Sequence, residues 1–251
     1  MNVLVIGGSG RVGAMLLGPL ARTHHVTVAD RVPPGPGIAF RLVDVADFGG
    51  LAAAMAGQDA VVYLAMGPND GWGDPQRWAP AHFAVNVTGL YLALQAAARA
   101  GVRTFLHAST ASVFEDYFGF GAELEHRAPD ATDAYGLSKR LGEQVAEAAA
   151  REHGLAVASL RLCGPLPDDE WRAYDGWPDP HVMTAGSDVA AAFLAALRVV
   201  PAHGPGYRTY CITGDHDGRF IDAGPTRRAL GWAPLARRED VAGPATTEAG
   251  S

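Results

Sequence analysis

The sequence has little cysteine: only Cys163 and Cys211 occur among its 251 residues. Two distant cysteines cannot form the disulfide framework of a small secreted domain, and they lack the close spacing of metal-binding cysteine pairs. No two histidines have the i, i+4 helical spacing of a zinc site. We therefore expect no metal site and a reducing, cytoplasmic setting.

Positive charge is also scarce, since 20 Lys and Arg residues face 27 Asp and Glu residues and the net charge is -7. No Lys/Arg-rich segment offers the phosphate contacts that nucleic-acid binding requires, so small-molecule partners are favoured. No run approaches the roughly 18 apolar residues of a membrane span. The opening MNVLVI lacks the basic segment and cleavage site of an export signal. Neither membrane insertion nor export is expected.

Apolar residues make up 48% of the chain, enough for a sizeable core. In the first half, short β-branched runs alternate with alanine- and leucine-rich stretches, the pattern of parallel strands joined by crossover helices. The predicted fold is α/β, a doubly wound parallel sheet of the Rossmann type. Strands are predicted near 2–6, 25–30, 39–43, 60–65, 103–108 and 156–161, and helices near 11–22, 48–56, 78–100 and 133–153.

The composition changes after Pro165, where Pro, Gly, Trp and Asp become frequent. A helix is predicted near 187–199 and a strand near 207–213. We interpret residues 1–165 as a Rossmann domain and residues 166–251 as a small C-terminal substrate lobe, interleaved with the same domain.

A glycine-rich loop, GGSGRVG, lies between the first predicted strand and the first predicted helix. Its glycines keep the turn tight, let the backbone approach a pyrophosphate and let the helix pack close to the strand. Unpaired N–H groups at the helix N-terminus then face the phosphates. An ordinary flexible turn is the alternative. In this context we predict that the loop binds a dinucleotide through Gly7, Gly10, Arg11, Val12 and Gly13.

Asp30 ends the second predicted strand, about twenty residues beyond the glycines. A carboxylate there accepts hydrogen bonds from the adenosine ribose and repels a 2′-phosphate, so NAD is favoured over NADP. Two alternatives stay open: Asp30 only caps the next turn, or the neighbouring Arg31 binds a 2′-phosphate. Asp44 and Val45 end the third strand and are candidates for the adenine edge, with Asp47 as a possible helix N-cap.

Tyr135 and Lys139 stand four residues apart in YGLSK, so they share one face of a predicted helix. A phenol with an ordinary pKa of about 10 is a poor base near neutrality, and a nearby ammonium favours the phenolate. Tyr135 thereby becomes usable as a general acid or base. A surface Tyr–Lys pair is the alternative.

Three hydroxyl residues, Ser109, Thr110 and Ser112, follow the fifth predicted strand. Open α/β sheets place their ligands at this carboxyl end, where one hydroxyl can hold a substrate oxygen beside the tyrosine. A Ser/Thr turn with self-bonded hydroxyls accounts for at least two of the three.

These motifs occur in a fixed order along the chain. Together they resemble the extended short-chain dehydrogenase/reductase family, the NAD-dependent sugar epimerase/dehydratase group, over roughly residues 1–165. The later segment DAGPTRRALGWAP is similar to that family's C-terminal element. The motifs are GGSGRVG, the strand-ending Asp30, LVDVAD, DAVVYLA, NVTGLYLALQAA, FLHASTASVF, YGLSK and LRLCGP.

The resemblance assigns roles to individual residues. It implies that Thr110 occupies the catalytic Ser/Thr position and that Tyr135 is the base. It further implies that Lys139 holds the nicotinamide ribose and lowers the tyrosine pKa, and that Asn86 supports the site's architecture. The residues that it places beside the cofactor are Ala65, Met66, Gly67, Asn86, Tyr135, Lys139 and Leu162.

Two departures from the family pattern bear on the substrate. Ala111 and Ser112 stand where family dehydratases carry an acidic pair, which argues against water elimination. The segment after Pro165 is short for gripping a nucleotide diphosphate, so a smaller substrate is expected. This layout is similar to uronate dehydrogenases, compact members that oxidise a free hexuronic acid, although Ala111 replaces an asparagine that they tend to carry. Trp72 and Trp171 are candidates for stacking on a sugar ring.

The favoured function is an NAD-dependent oxidoreductase that moves a hydride between the nicotinamide and a sugar or sugar-like hydroxyl, with uronic acids among the candidates. A sugar or nucleotide-sugar epimerase with no net cofactor change is the first alternative. A cofactor-sensing regulator without catalysis is the second, although retention of Thr110, Tyr135 and Lys139 argues against it. The alanine-rich helices near 78–100 and 133–153 permit close approach, and the resemblance implies that they form a homodimer.

Overall fold

The strands form a parallel sheet. The computed structural model describes residues 1–119, 121, 123–125, 127–176 and 180–237; the end of the predicted lobe, 238–251, lies outside these residues. The strands are β1 (Asn2–Ile6), β2 (His25–Asp30), β3 (Ala39–Leu42), β4 (Ala60–Tyr63), β5 (Thr104–Thr110), β6 (Ala156–Leu162), β7 (Pro165–Leu166), β8 (Thr184–Ala185) and β9 (Gly206–Ile212). In the described part, seven of them pair in the order β3-β2-β1-β4-β5-β6-β9.

Helices cover both faces of this sheet. They are α1 (Arg11–Ala21), α2 (Phe48–Met55), α3 (Trp78–Phe83), α4 (Leu90–Ala100), α5 (Ala134–His153), α6 (Asp168–Ala173), α7 (Gly186–Ala202) and α8 (Gly224–Leu230). α1 and α7 pack on the face that carries Val3 and Val5, whereas α2, α4 and α5 pack on the face that carries Leu4 and Ile6. The predicted doubly wound Rossmann fold is therefore confirmed.

The central strands are apolar on both faces. Every residue of β5 and β6 is buried, as is every residue of β4. Strands covered by helices on both sides need continuous apolar runs, whereas a strand with one solvent-exposed face alternates apolar and polar residues. This explains why AVVY and most of AVASLRL are apolar, and the buried polar exceptions in β6, Ser159 and Arg161, are hydrogen-bonded.

The predicted helix at 78–100 contains a π-helical segment, Ala84–Gly89, between α3 and α4. The hydroxyl of Tyr63 donates to the carbonyl oxygen of Val85 at 2.7 Å, so this carbonyl has a partner outside the helix. π-Helical turns inside α-helices are frequently found at functional sites. The sequence pattern did not predict this segment, because it interrupts the helical spacing of apolar residues for only a single turn.

The chain after Pro165 contributes to both sheets. β9 is the edge strand of the large sheet and α7 packs on its face, while β7 and β8 form a separate two-stranded parallel sheet. α6, α8 and their connecting segments complete this region. The division of the chain into a domain and a lobe stays a prediction. No helix in the described ranges combines the length and the hydropathy needed to cross a bilayer.

Candidate active site

The glycine loop connects β1 to α1 at the carboxyl edge of the sheet. Gly7 has φ +78°, a conformation that side-chain-bearing residues rarely adopt, and a Cβ there would collide with the backbone of Ala65. α1 begins after Gly10 without a side-chain cap. Its first N–H groups are consequently available to an anion.

A cleft of about 350 Å³ opens along this edge. It lies where β1 and β4 adjoin and the strand order reverses, which is where open α/β sheets bind ligands. The structure brings together in its lining most of the residues predicted to contact a dinucleotide: Gly7, Gly10, Arg11, Val12, Gly13, Asp30, Asp44, Val45, Ala65, Met66 and Gly67.

The acidic residues of the cleft have local hydrogen bonds as well. Asp30 accepts from the backbone N–H of Ser9 at 3.0 Å and from that of Arg31 at 2.6 Å. It therefore caps its own turn and also borders the cleft, beside Arg31. Asp44 accepts from the N–H of Ala46 at 2.9 Å. Asp47 is the N-cap residue of α2, but its side chain makes no capping hydrogen bond.

Tyr135 lies in the first turn of α5, next to the end of β5. Asp133 caps this helix by accepting from the N–H groups of Tyr135 and Gly136, at 3.0 and 3.1 Å. The side chain of Thr110, the last residue of β5, lies close enough to the Tyr135 hydroxyl to lower its pKa. The predicted catalytic Thr and Tyr are thus neighbours.

The pKa of Tyr135 differs from the sequence-based expectation that Lys139 lowers it. Burial of the phenol is the largest effect and raises this pKa to about 12, while the side chain of Thr110 lowers it. Tyr135 is accordingly protonated at neutral pH, ready to act as an acid.

Lys139 is buried one turn further along α5, with its side chain directed at the sheet. Its Nζ donates to the carbonyl oxygen of Ala108 at 2.9 Å. Burial lowers the pKa of Lys139 to about 8, and the nearby carboxylate of Glu143 opposes this shift. The amine is therefore close to its titration range under physiological conditions.

Glu143 and Arg161 form a buried ion pair. Glu143 lies on α5, one helical turn after Lys139. Arg161 donates through Nε and Nη2 to the two carboxylate oxygens at 2.9 and 2.7 Å, and through Nη1 to the carbonyl of Leu124 at 2.8 Å. Ser109 donates to the same carboxylate at 2.7 Å. Sequence reasoning missed Glu143, although its position four residues after Lys139 on one helix face was an available signal.

Four residues that were predicted to lie beside the cofactor do not line the cleft: Asn86, Tyr135, Lys139 and Leu162. Asn86 is fully buried in the π-helical segment and donates to Ser138 Oγ at 2.9 Å, so it connects this segment to α5. Leu162 ends β6 opposite Thr110 and is 4% exposed.

Tyr135 belongs to a cluster of four aromatic rings, together with Trp72, Trp78 and His82. The ring of Trp72 lies 5.2 Å from that of Tyr135 and 4.6 Å from that of Trp78, and the ring of Trp78 lies 4.0 Å from that of His82 at an angle of 33°. Trp171 is instead buried, and its indole N–H donates to the carbonyl of Met183 at 2.9 Å. The suggestion that Trp171 stacks on a sugar is therefore wrong, since little of its ring is accessible.

The first turn of α6 meets the first turn of α1. Arg11 forms an ion pair with Glu170, and both side chains are about half exposed. Asp168 accepts from the N–H of Ser187 at 2.8 Å, which ties α6 to α7. Within the described ranges, no group of three or more His, Cys, Asp or Glu residues is arranged to hold a metal ion.

The sequence model of the NAD dependent epimerase/dehydratase family matches residues 3–168. The chain belongs to this family. An L-arabinose 1-dehydrogenase (NAD(P)(+)) of Haloferax volcanii is 32% identical over 184 residues, which cover 68% of this chain and 70% of the relative. As a family member, the chain is an NAD-dependent enzyme of the extended short-chain dehydrogenase/reductase type.

Solved structures of extended short-chain dehydrogenases share the fold. A superfamily protein from Agrobacterium tumefaciens, solved with bound NAD, superposes with a TM-score of 0.76 at 20% identity, covering 96% of this chain and 94% of the other. Uronate dehydrogenase from the same organism has a TM-score of 0.73 at 22% identity, covering 95% and 86% of the two chains. At these identities the likeness concerns the fold alone.

Proposed function

We propose that the protein is an NAD-dependent oxidoreductase that transfers a hydride between a sugar or sugar-like hydroxyl and the nicotinamide. The observation that carries this proposal is the placement of Thr110, Tyr135 and Lys139 on β5 and α5, at the same sheet edge as the dinucleotide cleft. A sensor of the cofactor would have no use for an acid–base pair in this position.

The cleft suits a dinucleotide chemically. The uncapped N-terminus of α1, with Gly10 and Arg11, would hold the pyrophosphate, and Asp30 would accept hydrogen bonds from the adenosine ribose. The proposed adenine contacts are Asp44 and Val45, and the proposed wall toward the nicotinamide comprises Ala65, Met66, Gly67 and Leu162. When bound, NAD supplies the hydride acceptor.

Proton transfer is assigned to Tyr135. During oxidation the Tyr135 oxygen, once its own proton has passed to solvent, takes the proton of the substrate hydroxyl, and the same carbon would give its hydride to the nicotinamide, which leaves a carbonyl product. Thr110 holds the substrate oxygen. In the opposite direction the protonated phenol, whose pKa is raised to about 12, returns the proton to the carbonyl oxygen.

Lys139 supports this step from the side of the cofactor. An ammonium has three donors, and the carbonyl of Ala108 takes one of them. The remaining donors are available to the nicotinamide ribose.

A free sugar or sugar acid is the proposed substrate class, bound at the proposed lobe, of which residues 166–176 and 180–237 are described. Two relatives support it by their names: the L-arabinose 1-dehydrogenase described above, and a uronate dehydrogenase of Pseudomonas syringae that is 24% identical over 68% of this chain.

The test is incubation of the purified protein with NAD and a panel of aldoses, uronic acids and nucleotide sugars. Net formation of the reduced cofactor with a free sugar supports the proposal, and Tyr135→Phe should abolish that signal. Interconversion of sugar epimers without accumulation of reduced cofactor would instead identify an epimerase. Cofactor binding with neither reaction would contradict both.

A further inference from the structure

The ring of Trp72 lies next to the ring of Tyr135. Trp72 belongs to the loop after β4, is 60% exposed, and holds its ring 5.2 Å from the tyrosine ring at an angle of 49°. By contrast, Trp78, Trp171 and Trp232 are at most 6% exposed. Among the tryptophans that the structure describes, Trp72 alone is largely exposed, and it adjoins the proposed acid–base group.

The Trp72 ring is held in position by its neighbours. Trp78 contacts it at 4.6 Å, and the edge of His82 lies 6.1 Å away. His82 in turn hydrogen-bonds the carbonyl of Pro68 at 3.0 Å, so it anchors the start of the same loop. An aromatic face that is fixed before binding loses little conformational entropy when a ligand stacks on it.

His82 also explains why a glycine precedes Pro68. A Cβ on Gly67 would lie 2.6 Å from the imidazole Cδ2, so only glycine lets the loop pack on this ring. Burial lowers the pKa of His82, which keeps the imidazole neutral and compatible with its aromatic neighbours. The loop, His82 and the two tryptophans therefore act as one supporting unit.

The chemistry of this surface fits a sugar ring. An indole face is broad and apolar, and a pyranose or furanose presents an apolar C–H face with hydroxyls at its rim, so the two can stack while a hydroxyl reaches Tyr135. The ring that stacks here is that of the free sugar given in the proposed function.

We propose that Trp72 is the substrate platform of this site and selects a single free sugar ring by stacking on it, an inference that rests on the proposed function. The experiment measures equilibrium binding of L-arabinose, D-glucuronate and UDP-glucose by calorimetry to the enzyme saturated with NADH. This readout requires no turnover. The variants are Trp72→Ala, Trp72→Phe and, as a control for truncating an exposed apolar side chain, Leu235→Ala, whose side chain is 80% exposed.

We expect Trp72→Ala to weaken binding of the preferred free sugar by about tenfold, Trp72→Phe to retain most of the affinity, and Leu235→Ala to match the wild type. In turnover, Trp72→Ala should raise KM and leave kcat within about twofold, because stacking contributes equally to ground and transition states. Wild-type enzyme that binds neither free sugar, or affinity unchanged in Trp72→Ala, overturns the proposal.

Three further outcomes complete the test and separate this inference from the proposed function. A fall in kcat at constant KM in Trp72→Ala would mean that the ring only supports Tyr135, which also overturns the proposal. UDP-glucose binding more tightly than both free sugars would overturn the selection of a free ring. Sugar binding that depends on Trp72, without any formation of reduced cofactor, would support the role of Trp72 and refute the proposed oxidoreductase function.

Discussion

Asp30 joins the end of β2 to the glycine loop by accepting a hydrogen bond from the backbone N–H of Ser9 at 3.0 Å. Its second carboxylate oxygen accepts from the N–H of Arg31 at 2.6 Å. The same side chain also borders the cleft. A single carboxylate therefore shapes the loop and carries the negative charge that would oppose a 2′-phosphate.

Asp30→Asn should separate these two roles, because the amide removes the charge and retains one acceptor oxygen. We expect the preference for NAD over NADP to fall by about tenfold, since repulsion of the 2′-phosphate is lost. Asp30→Ala should additionally weaken both cofactors, because the loop loses its hydrogen bonds. Fluorescence titration of both cofactors onto the three proteins provides the measurement. An unchanged preference in Asp30→Asn would point to Arg31 as the determinant.

Tyr135→Phe should leave NAD affinity within about threefold of the wild type and reduce turnover by about 10²-fold or more, because the hydroxyl takes part in proton transfer. The matched control is Tyr91→Phe, which removes a hydroxyl from an exposed tyrosine on α4. Steady-state assays and cofactor titrations measure the two effects. Near-normal turnover in Tyr135→Phe would refute the proposal that Tyr135 transfers the proton.

Lys139→Met should stabilise the protein at neutral pH while abolishing activity. The pKa of Lys139 is lowered from 10.5 to about 8, so its ammonium destabilises the fold below pH 8. Between about pH 8 and 10.5 the unfolded chain binds the additional proton, and stability rises with pH. The gain from Met should be at most roughly 3 kcal/mol at pH 7 and should shrink by pH 10. Thermal unfolding of both proteins at the two pH values tests this, and a gain that is independent of pH would contradict it.

Glu170→Gln should strengthen cofactor binding by about two- to fivefold at low ionic strength. The exposed ion pair holds Arg11 weakly, and its release lets the guanidinium turn to the pyrophosphate. Asp169→Asn, the same charge change one residue earlier, should have a smaller effect. Calorimetric titration with NAD at two salt concentrations provides the comparison. Weaker binding in Glu170→Gln would show that the pair instead closes over the bound cofactor.

The homodimer predicted from the two long helices stays a prediction with a direct test. α4 and α5 pack on the same face of the sheet, and Tyr91 on α4 is 49% exposed. We expect a dimer at micromolar concentration by light scattering, and dissociation in Tyr91→Asp, because a carboxylate in the interface would lose its hydration. A monomeric wild type would refute the dimer.

Local sequence patterns were sufficient for the fold and the cofactor. Strand and helix periods, the glycine loop between β1 and α1, and the i, i+4 spacing of Tyr135 and Lys139 all lie within a few residues of chain. The Rossmann fold, the family and NAD as its cofactor are confirmed. The roles of the individual site residues are still predictions, for which the structure supplies the geometry.

Contacts between distant parts of the chain were decided by the tertiary structure alone. Examples are the pairing of Glu143 with Arg161 and the contact between His82 and Gly67. The difference in exposure between the buried Trp171 and the exposed Trp72 is another. No shared helical or strand spacing in the sequence relates these residues. The direction of the Tyr135 pKa shift belongs here as well, since spacing predicts a neighbouring charge but not the depth of burial. A sequence records which groups share a helix face, whereas desolvation depends on every element that packs over that face.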